Sequence, residues 1–228
     1  MPVFKLPEEH LFPQVELAEE DGLLAVGGDL SPGRLLTAYQ MGIFPWYSDE
    51  SPILWWSPDP RWVMPPAQIH ISRSMAKVLK RGTFQVSFDQ AFDQVIAACK
   101  AAPRLGQDGT WLVDEMEAAY NHLHQLGFAH SVEVWQENEL VGGMYGVSLG
   151  GCFFGESMFS KVTNSSKVAL ISLARKLESL DFLLIDCQVH TPHLESMGAS
   201  EMSRAKFVET IYKGMEMPMW RGNWGEIM

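Results

Sequence analysis

A strand-like segment at residues 182–190, FLLIDCQVH, ends in side chains that can do chemistry. Its apolar start is followed by Asp186, Cys187, Gln188 and His190, where a buried strand would continue with apolar residues. Such an ending fits a metal site, a thiol nucleophile, a hydrogen-bonding reaction centre or a strand that enters solvent. Because side chains alternate along a strand, Asp186 and Gln188 share one face and Cys187 lies on the other. The pattern predicts that the carboxylate and the amide act together at the C-terminal end of a strand.

The spacing of the possible ligands disfavours a metal site in this segment. Zinc usually binds three or four Cys, His or carboxylate groups, and Cys187 is predicted to face away from Asp186. The dipeptide Thr191–Pro192 also interrupts any helix that could bring His190 and His193 together. Cys187 has no basic neighbour on its apolar face, so we interpret it as a small core residue. We therefore expect no metal.

Glu156 is a second candidate, because it interrupts an otherwise apolar strand pattern, GCFFGESMF, at residues 151–159. A carboxylate in such surroundings costs free energy unless a cation or several hydrogen-bond donors meet it. Two interpretations of Glu156 remain open: a salt-bridged acid at a strand end and a functional carboxylate. The following segment, VTNSSK at residues 162–167, enters a predicted helix whose N-terminus is a generic anion site.

A basic stripe is predicted on the helix of residues 72–82, SRSMAKVLKRG. Its basic residues are spaced at i, i+4, i+7 and i+8, which places them on one helix face. They are Arg73, Lys77, Lys80 and Arg81. The stripe is either a solvated face or a set of phosphate-backbone contacts.

Aromatic residues are dense in IFPWYSDESPILWW, residues 43–56. Such density usually reflects packing, but the same side chains could wall a ligand cleft and stack on bases. We expect Trp46, and also Trp111 in a predicted loop, to contact substrate.

The elements that must position these groups divide the chain into two units. Residues 1–66 are rich in Pro and Gly, with one helix predicted between Ser31 and Gly42, and form a small aromatic lobe. Residues 67–228 alternate helices with strands, including a predicted hairpin. The strand–helix–strand unit at 151–188 implies one parallel or splayed pair. The sequence predicts an α+β fold with a mixed, mostly antiparallel sheet.

Length, net charge and composition limit the class of protein to which this sequence can belong. The 228 residues carry a net charge of −11, which fits a cationic partner better than general nucleic-acid binding. The three Cys residues form no CxxC pair, and no apolar run reaches the roughly 18 residues of a membrane span. The start, MPVFKLPEEHLFP, lacks the apolar core of a signal peptide. We expect a cytoplasmic protein that does not bind membranes.

Seven motifs follow one another along the chain: GLLAVGGDLSPGRLLTAYQMGIFPWYS, WWSPDPR, HSVEVW, LVGGMYGV, FFGESMFS, NSSKVAL and LIDCQ. Together they resemble the leucyl/phenylalanyl-tRNA–protein transferase family, in order and across residues 11–207. The resemblance implies a GNAT-like acyltransferase domain after the small N-terminal α/β lobe, with no metal or coenzyme. It implies transfer of Leu, Phe or Met from aminoacyl-tRNA to the α-amine of proteins that begin with Arg or Lys, which marks them for degradation. We expect a monomer.

The resemblance also assigns residues. Asp186 and Gln188 match the proposed catalytic pair, Glu156 matches the glutamate of the cleft, and the basic stripe matches the tRNA-binding patch. The residues that match the amino-acid pocket are Met144, Phe153, Leu170 and Ile185. Alternation places the side chains of Ile185 and Asp186 on opposite faces of the strand. Either the pocket wraps around the strand end, or the match of Ile185 to the pocket is inexact.

Ester aminolysis assigns roles to the pair. A carboxamide is a poor base, so we expect Gln188 to orient the amine or the carbonyl, while Asp186 fixes it and attracts the cationic acceptor. A stronger role, in which Asp186 makes Gln188 a true base, is the second choice. Two other classes remain as alternatives: a non-catalytic binder of peptides or RNA, and a hydrolase of aminoacyl esters.

Overall fold

Two β-sheets organise residues 3–102 and 112–227, which are the residues that the computed structural model describes. The strands are β1 (Phe4–Lys5), β2 (Leu23–Val26), β3 (Phe44–Pro45), β4 (Leu54–Trp56), β5 (Arg61–Met64), β6 (Gln85–Phe88), β7 (Ala129–Gln136), β8 (Glu139–Leu149), β9 (Cys152–Ser160), β10 (Leu184–Gln188) and β11 (Ser200–Met202). The α-helices are α1 (Pro32–Gln40), α2 (Arg73–Arg81), α3 (Phe92–Ala101), α4 (Asp114–Gln125), α5 (Ser165–Ser179), α6 (Pro192–Ser196) and α7 (Arg204–Met215). Short 3-10 helices cover Val15–Leu17 and Pro66–Gln68.

Local sequence signals set the ends of the first two helices. Helix α1 begins directly after Ser31 and ends before Gly42, whose φ of 76° is one that glycine adopts readily. Helix α2 begins after Ser72, whose hydroxyl accepts a hydrogen bond from the Met75 amide at 3.2 Å. It ends at Gly82 in a left-handed conformation. Both predicted helices are confirmed.

The smaller sheet has the order β1-β2-β4-β3 and is built from the first 56 residues. The larger sheet has the order β11-β5-β10-β9-β8-β7-β6. Strand β5 pairs with both β10 and β11, so the predicted N-terminal unit contributes one strand to the larger sheet. Residues 61–64, which belong to the predicted N-terminal unit, therefore lie directly beside the end of β10.

Strands β9 and β10 form the parallel pair of the larger sheet, with α5 as their crossover helix. The other neighbours in that sheet pair antiparallel within the described residues. The predicted α+β fold with a mixed, mostly antiparallel sheet is confirmed, and so is the parallel pair expected from residues 151–188.

The parallel pair is short, and this creates an opening in the sheet. Its register joins Leu184 to Cys152, Ile185 to Phe153 and Asp186 to Phe154 only. Strand β9 then continues along β8 as far as Ser160, while β10 continues along β5. The two strands therefore separate just beyond Asp186.

Two apolar clusters cover the two faces of the larger sheet. One includes side chains from α1, α3, α4, α7 and the smaller sheet, and it contains Phe154 and Leu184. The other includes side chains of α2 and α5, and it contains Phe153 and Ile185. Alternation along β9 and β10 is therefore as predicted up to Asp186. In the described part of the chain, no helix combines the length and the apolar character needed to cross a bilayer.

Candidate active site

A cavity of about 510 Å³ lies in the opening between β9 and β10. Residues 155–158 of β9 and residues 185–189 of the β10 end line it, together with β3 and α6. The volume is within the range of small-molecule sites. Because the cavity passes between two strands, side chains from both faces of the sheet can reach it.

Asp186 is held at this opening by a buried ion pair with Arg61 of β5. The Arg61 Nε donates to Oδ1 at 2.8 Å and Nη2 donates to Oδ2 at 2.7 Å, and neither side chain is exposed by more than 1%. The guanidinium lies between the rings of Phe44 and Phe207, 4.5 and 4.7 Å from their centroids. Two parallel charge-assisted hydrogen bonds fix the carboxylate in one orientation.

Gln188 owes its position to Asp186. Its backbone amide donates to Asp186 Oδ1 at 2.8 Å, and the register of β10 against β5 shifts between these two residues. The resulting bulge gives Gln188 a φ of 62°, an unusual value for a residue with a side chain. Strain of this kind concentrates at functional sites. The bulge directs the Gln188 side chain toward β9.

Glu156 receives three hydrogen bonds on the buried side of the cavity. Tyr39 donates to Oε1 at 2.8 Å, Tyr120 donates to Oε2 at 2.7 Å, and the Gln188 Nε2 donates to Oε1 at 2.9 Å. Burial raises the pKa of Glu156 to about 7, and the charge of Asp186 adds to this increase. The tyrosine hydroxyls and Arg61 act in the opposite direction. Donors rather than a salt-bridging cation meet this carboxyl among the described residues.

The apolar end of the cavity is lined by Met144, Leu170 and Ile185, which belong to the cluster on the α5 face. Phe153 belongs to the same cluster but is fully buried and packs near Trp224, with ring centroids 5.9 Å apart. It is therefore not among the residues that line the cavity. Ile185 and Asp186 both reach the cavity although they lie on opposite faces, because the opening exposes the end of β10 from both sides. The structure thus agrees with a pocket that wraps around the strand end.

Cys187 packs against the same apolar cluster as Ile185, on the face that alternation predicts. It is only half-buried, however, and it also lines the cavity. Burial and the charge of Asp186 raise the pKa of its thiol. A neutral thiol is a poor nucleophile, which is a second argument against a thiol mechanism. In residues 3–102 and 112–227, no three His, Cys, Asp or Glu side chains are grouped so as to hold a metal.

Trp46 lines the cavity next to β3 and is 37% exposed. Its ring lies 5.8 Å from that of Trp56, which anchors it through a hydrogen bond from the Trp56 Nε1 to the Trp46 carbonyl at 2.7 Å. A half-exposed indole at a cavity can stack on a ligand ring. Trp111 lies outside the described residues.

The basic stripe on α2 is separate from the cavity lining. Arg73, Lys77, Lys80 and Arg81 are all exposed, and Met75 on the opposite side packs into the cluster on the α5 face. None of the four forms an ion pair with a described residue. They are therefore available to an anionic partner.

Sequence reasoning missed three residues that hold the site together. Tyr39, Tyr120 and Arg61 come from α1, α4 and β5, and they are separated from their partners by 117, 36 and 125 residues. No local motif reports such contacts. The one available signal was the cost of burying Glu156 and Asp186, which requires donors without saying which residues supply them.

The sequence of the chain matches a known protein family. Residues 63–212 match the family described as leucyl/phenylalanyl-tRNA protein transferase, and residues 28–59 match its N-terminal domain. The chain is similar to the leucyl/phenylalanyl-tRNA–protein transferase of Syntrophus aciditrophicus, with 57% identity over 98% of this chain and 94% of that protein. It is also similar to that of Myxococcus xanthus, with 52% identity over 99% and 97%.

Two solved structures resemble the fold at low similarity. A GCN5-related N-acetyltransferase from Kribbella flavida has 8% identity and a TM-score of 0.40, over 75% of this chain and 61% of that one. L-PGS from Bacillus licheniformis has 13% identity and a TM-score of 0.43, over 88% and 66%. The sequence matches do not depend on either.

Proposed function

Because this chain belongs to the leucyl/phenylalanyl-tRNA–protein transferase family, we propose that it transfers Leu, Phe or Met to the α-amine of proteins that begin with Arg or Lys. The enzyme is an aminoacyltransferase, with aminoacyl-tRNA as donor and a protein as acceptor. One observation carries the finer proposal: a single cavity joins an apolar end to a polar end.

The apolar end suits the side chain of the donor amino acid. Met144, Leu170 and Ile185 offer only apolar surface, so they select by shape and volume. A pocket of this kind separates side chains that differ by a methylene group only about 10- to 200-fold. A family of donors such as Leu, Phe and Met fits such a pocket better than one amino acid does.

The polar end suits the acceptor. The Gln188 Nε2 donates to Glu156, and the Gln188 oxygen accepts from no described residue, so it can accept a hydrogen bond from an α-amine. An amide oxygen does not take up a proton at neutral pH, which gives Gln188 an orienting role. Asp186 fixes Gln188 through the backbone amide, as the sequence suggested. Holding the amine against the ester supplies much of the rate.

Asp186 is less suited to attract a cationic acceptor than the sequence suggested. Both of its oxygens accept from Arg61, which neutralises its charge locally. Glu156 has no such cation among the described residues and lines the same cavity. We therefore assign the attraction of the cationic acceptor to Glu156 and to the net charge of −11.

We propose the remaining features on the basis of the sequence and the family resemblance. The enzyme acts as a monomer in the cytoplasm, without metal or coenzyme, and its product is marked for degradation. Its chain divides into a small N-terminal lobe, residues 1–66, and a catalytic domain, residues 67–228, and β5 near the end of the lobe adds a strand to the sheet of the catalytic domain.

A direct assay tests the proposed function. The protein is incubated with Leu-tRNA and a peptide that begins with Arg, and the peptide mass is measured. We expect the addition of one leucine to this peptide and none to a matched peptide that begins with Met. Free leucine released at a rate independent of the peptide would instead indicate the hydrolase, and binding without turnover would indicate the binder.

The basic stripe is expected to bind the tRNA backbone. Replacing both Arg73 and Lys77 by Ala should weaken tRNA binding and lower the slope of log affinity against log salt by about 1.5, since each lost phosphate contact removes about 0.7–0.9. Filter binding over a salt series measures both.

The matched control for the stripe removes two exposed lysines from α7, Lys206 and Lys213, which changes the net charge equally. This control should leave the slope unchanged. An Arg73→Ala, Lys77→Ala variant with the slope of the unmodified protein would reduce the stripe to a solvated face.

A further inference from the structure

The Glu156 carboxyl and the hydroxyls of Tyr39 and Tyr120 form a closed triangle of short contacts. The Tyr39 oxygen lies 2.8 Å from Glu156 Oε1, the Tyr120 oxygen lies 2.7 Å from Oε2, and the two hydroxyl oxygens lie 2.6 Å apart. Each distance is that of an O–H···O hydrogen bond. All three contacts are buried.

The number of protons in the triangle decides whether all three contacts can be hydrogen bonds. With an ionised carboxylate, the two hydroxyls supply two protons, so one of the three oxygen–oxygen contacts has none. With a protonated carboxyl, three protons serve three contacts, and each group donates once and accepts once. Buried polar groups are normally all hydrogen-bonded. The triangle can therefore hold the carboxyl in either state, ionised with two donated hydrogen bonds or protonated with three.

Of the three groups, the carboxyl is the one that titrates. Burial and the charge of Glu156 raise the pKa values of Tyr39 and Tyr120 well above the ordinary range, so both stay neutral. Two charged groups also face Glu156. Burial has the largest effect on the Glu156 pKa, the charge of Asp186 raises this pKa further, and Arg61 lowers it. Tyr145 of β8 packs its ring against Tyr120, with centroids 5.4 Å apart.

The triangle is connected to the reaction site. Glu156 lines the cavity, and its Oε1 accepts from the Gln188 Nε2, while Oε2 accepts only from Tyr120 among the described residues and so keeps a lone pair. From this geometry we infer that, in the transfer proposed above, Glu156 accepts the proton of the acceptor's α-ammonium, with Tyr39 and Tyr120 as positioning residues. The role deepens the proposed function and depends on it.

In the transfer step, one N–H proton of the ammonium moves to Glu156. The freed lone pair forms the C–N bond with the ester carbonyl carbon, while the C=O π pair moves to the carbonyl oxygen. That pair then re-forms the C=O bond as the C–O bond to the ribose breaks, and the electron pair of the broken bond stays on the ribose oxygen. A second proton from the nitrogen moves to that oxygen, leaving an amide and a hydroxyl. Glu156 returns its proton to water before the next cycle.

An infrared titration of the free enzyme tests the proton site without any substrate. We expect the band of a protonated carboxyl to disappear between about pH 6 and about pH 8, well above the range of ordinary carboxyls. The band should be missing in Glu156→Gln. In Tyr120→Phe, the midpoint of the carboxyl titration should move to higher pH. The lost hydrogen bond stabilises the carboxylate more than the neutral carboxyl, so its removal favours the protonated form. This second variant decides the assignment if Glu156→Gln does not fold.

The pH dependence of single-turnover transfer tests the step itself. Without a carboxylate at position 156, only the neutral fraction of the α-amine reacts, and that amine has a pKa of about 7.7–8.0. The factor by which Glu156→Gln slows transfer, relative to the unmodified protein, should therefore be about tenfold larger at about pH 6.5 than at about pH 8.5. A merely structural role would reduce the rate by the same factor at every pH.

Two results would overturn the inference: no carboxyl band that titrates in this range, or a constant ratio of the two rates across pH. A titrating Glu156 in a protein that adds no leucine to the Arg peptide would contradict the proposed function instead, so the two failures can be told apart.

Discussion

Asp186→Ala is expected to reduce transfer by about a hundredfold or more, the effect of misplacing a reacting group by about 1 Å. The same change should lower the free energy of unfolding by about 3–5 kcal/mol, because it leaves the buried guanidinium of Arg61 without its partner. It also removes the acceptor of the Gln188 backbone amide, which holds the β10 bulge. Urea unfolding and single-turnover transfer measure the two losses separately.

Two variants separate the chemistry of Asp186 from its structural role. Combining Asp186→Leu with Arg61→Met removes both charges and should recover most of the stability, since apolar replacement of a buried ion pair is often neutral. Transfer should stay low because Gln188 remains misplaced. Asp29→Ala is the matched control, since Asp29 also pairs with a buried arginine, Arg34, but is half-exposed and outside the cavity. Full transfer by the double variant would contradict the role of Asp186.

Leu170→Phe is expected to have the second large effect, on the choice of donor. Leu170 is 1% exposed and lines the apolar end of the cavity, so a larger ring there occupies space needed by the donor side chain. Transfer of Phe should fall about 10- to 200-fold relative to transfer of Leu, the range for a misfit of about one group in an apolar pocket. Competition between Phe-tRNA and Leu-tRNA for one peptide measures this ratio directly.

The ratio of the two donors within one variant is its own control, because any loss of stability affects both equally. The reverse change, Leu170→Ala, enlarges the apolar end and should shift the ratio toward Phe. Equal ratios in the three proteins would show that this end of the cavity does not hold the donor side chain.

Local pattern was sufficient to predict the elements that frame the site. Ser72 and Gly82 mark the ends of α2 because capping depends on a few neighbouring residues. The apolar run before Asp186 is a strand, and the unit from 151 to 188 is a parallel pair, because right-handed crossover connections leave few alternatives. The resemblance to a family added the roles of Asp186 and Gln188, which spacing alone left open.

The arrangement of charge around the site could not be predicted from local pattern. Arg61 neutralises Asp186 across 125 residues of sequence, and the Tyr39 and Tyr120 hydroxyls meet Glu156 from two helices. These contacts depend on how the sheets and helices pack, which no short segment encodes. The bulge that gives Gln188 its positive φ is likewise a consequence of the pairing with β5, whereas strand alternation assumes regular pairing.

In the proposed reaction, one cavity holds the donor side chain at one end and the reacting ester at the other. A crystal structure with a non-hydrolysable phenylalanyl-adenosine amide tests this most directly. We expect the phenyl ring between Met144, Leu170 and Ile185, with the amide carbonyl in the opening between β9 and β10 beside Gln188 and Glu156. An analogue bound outside this opening, with the cavity empty, would contradict the account.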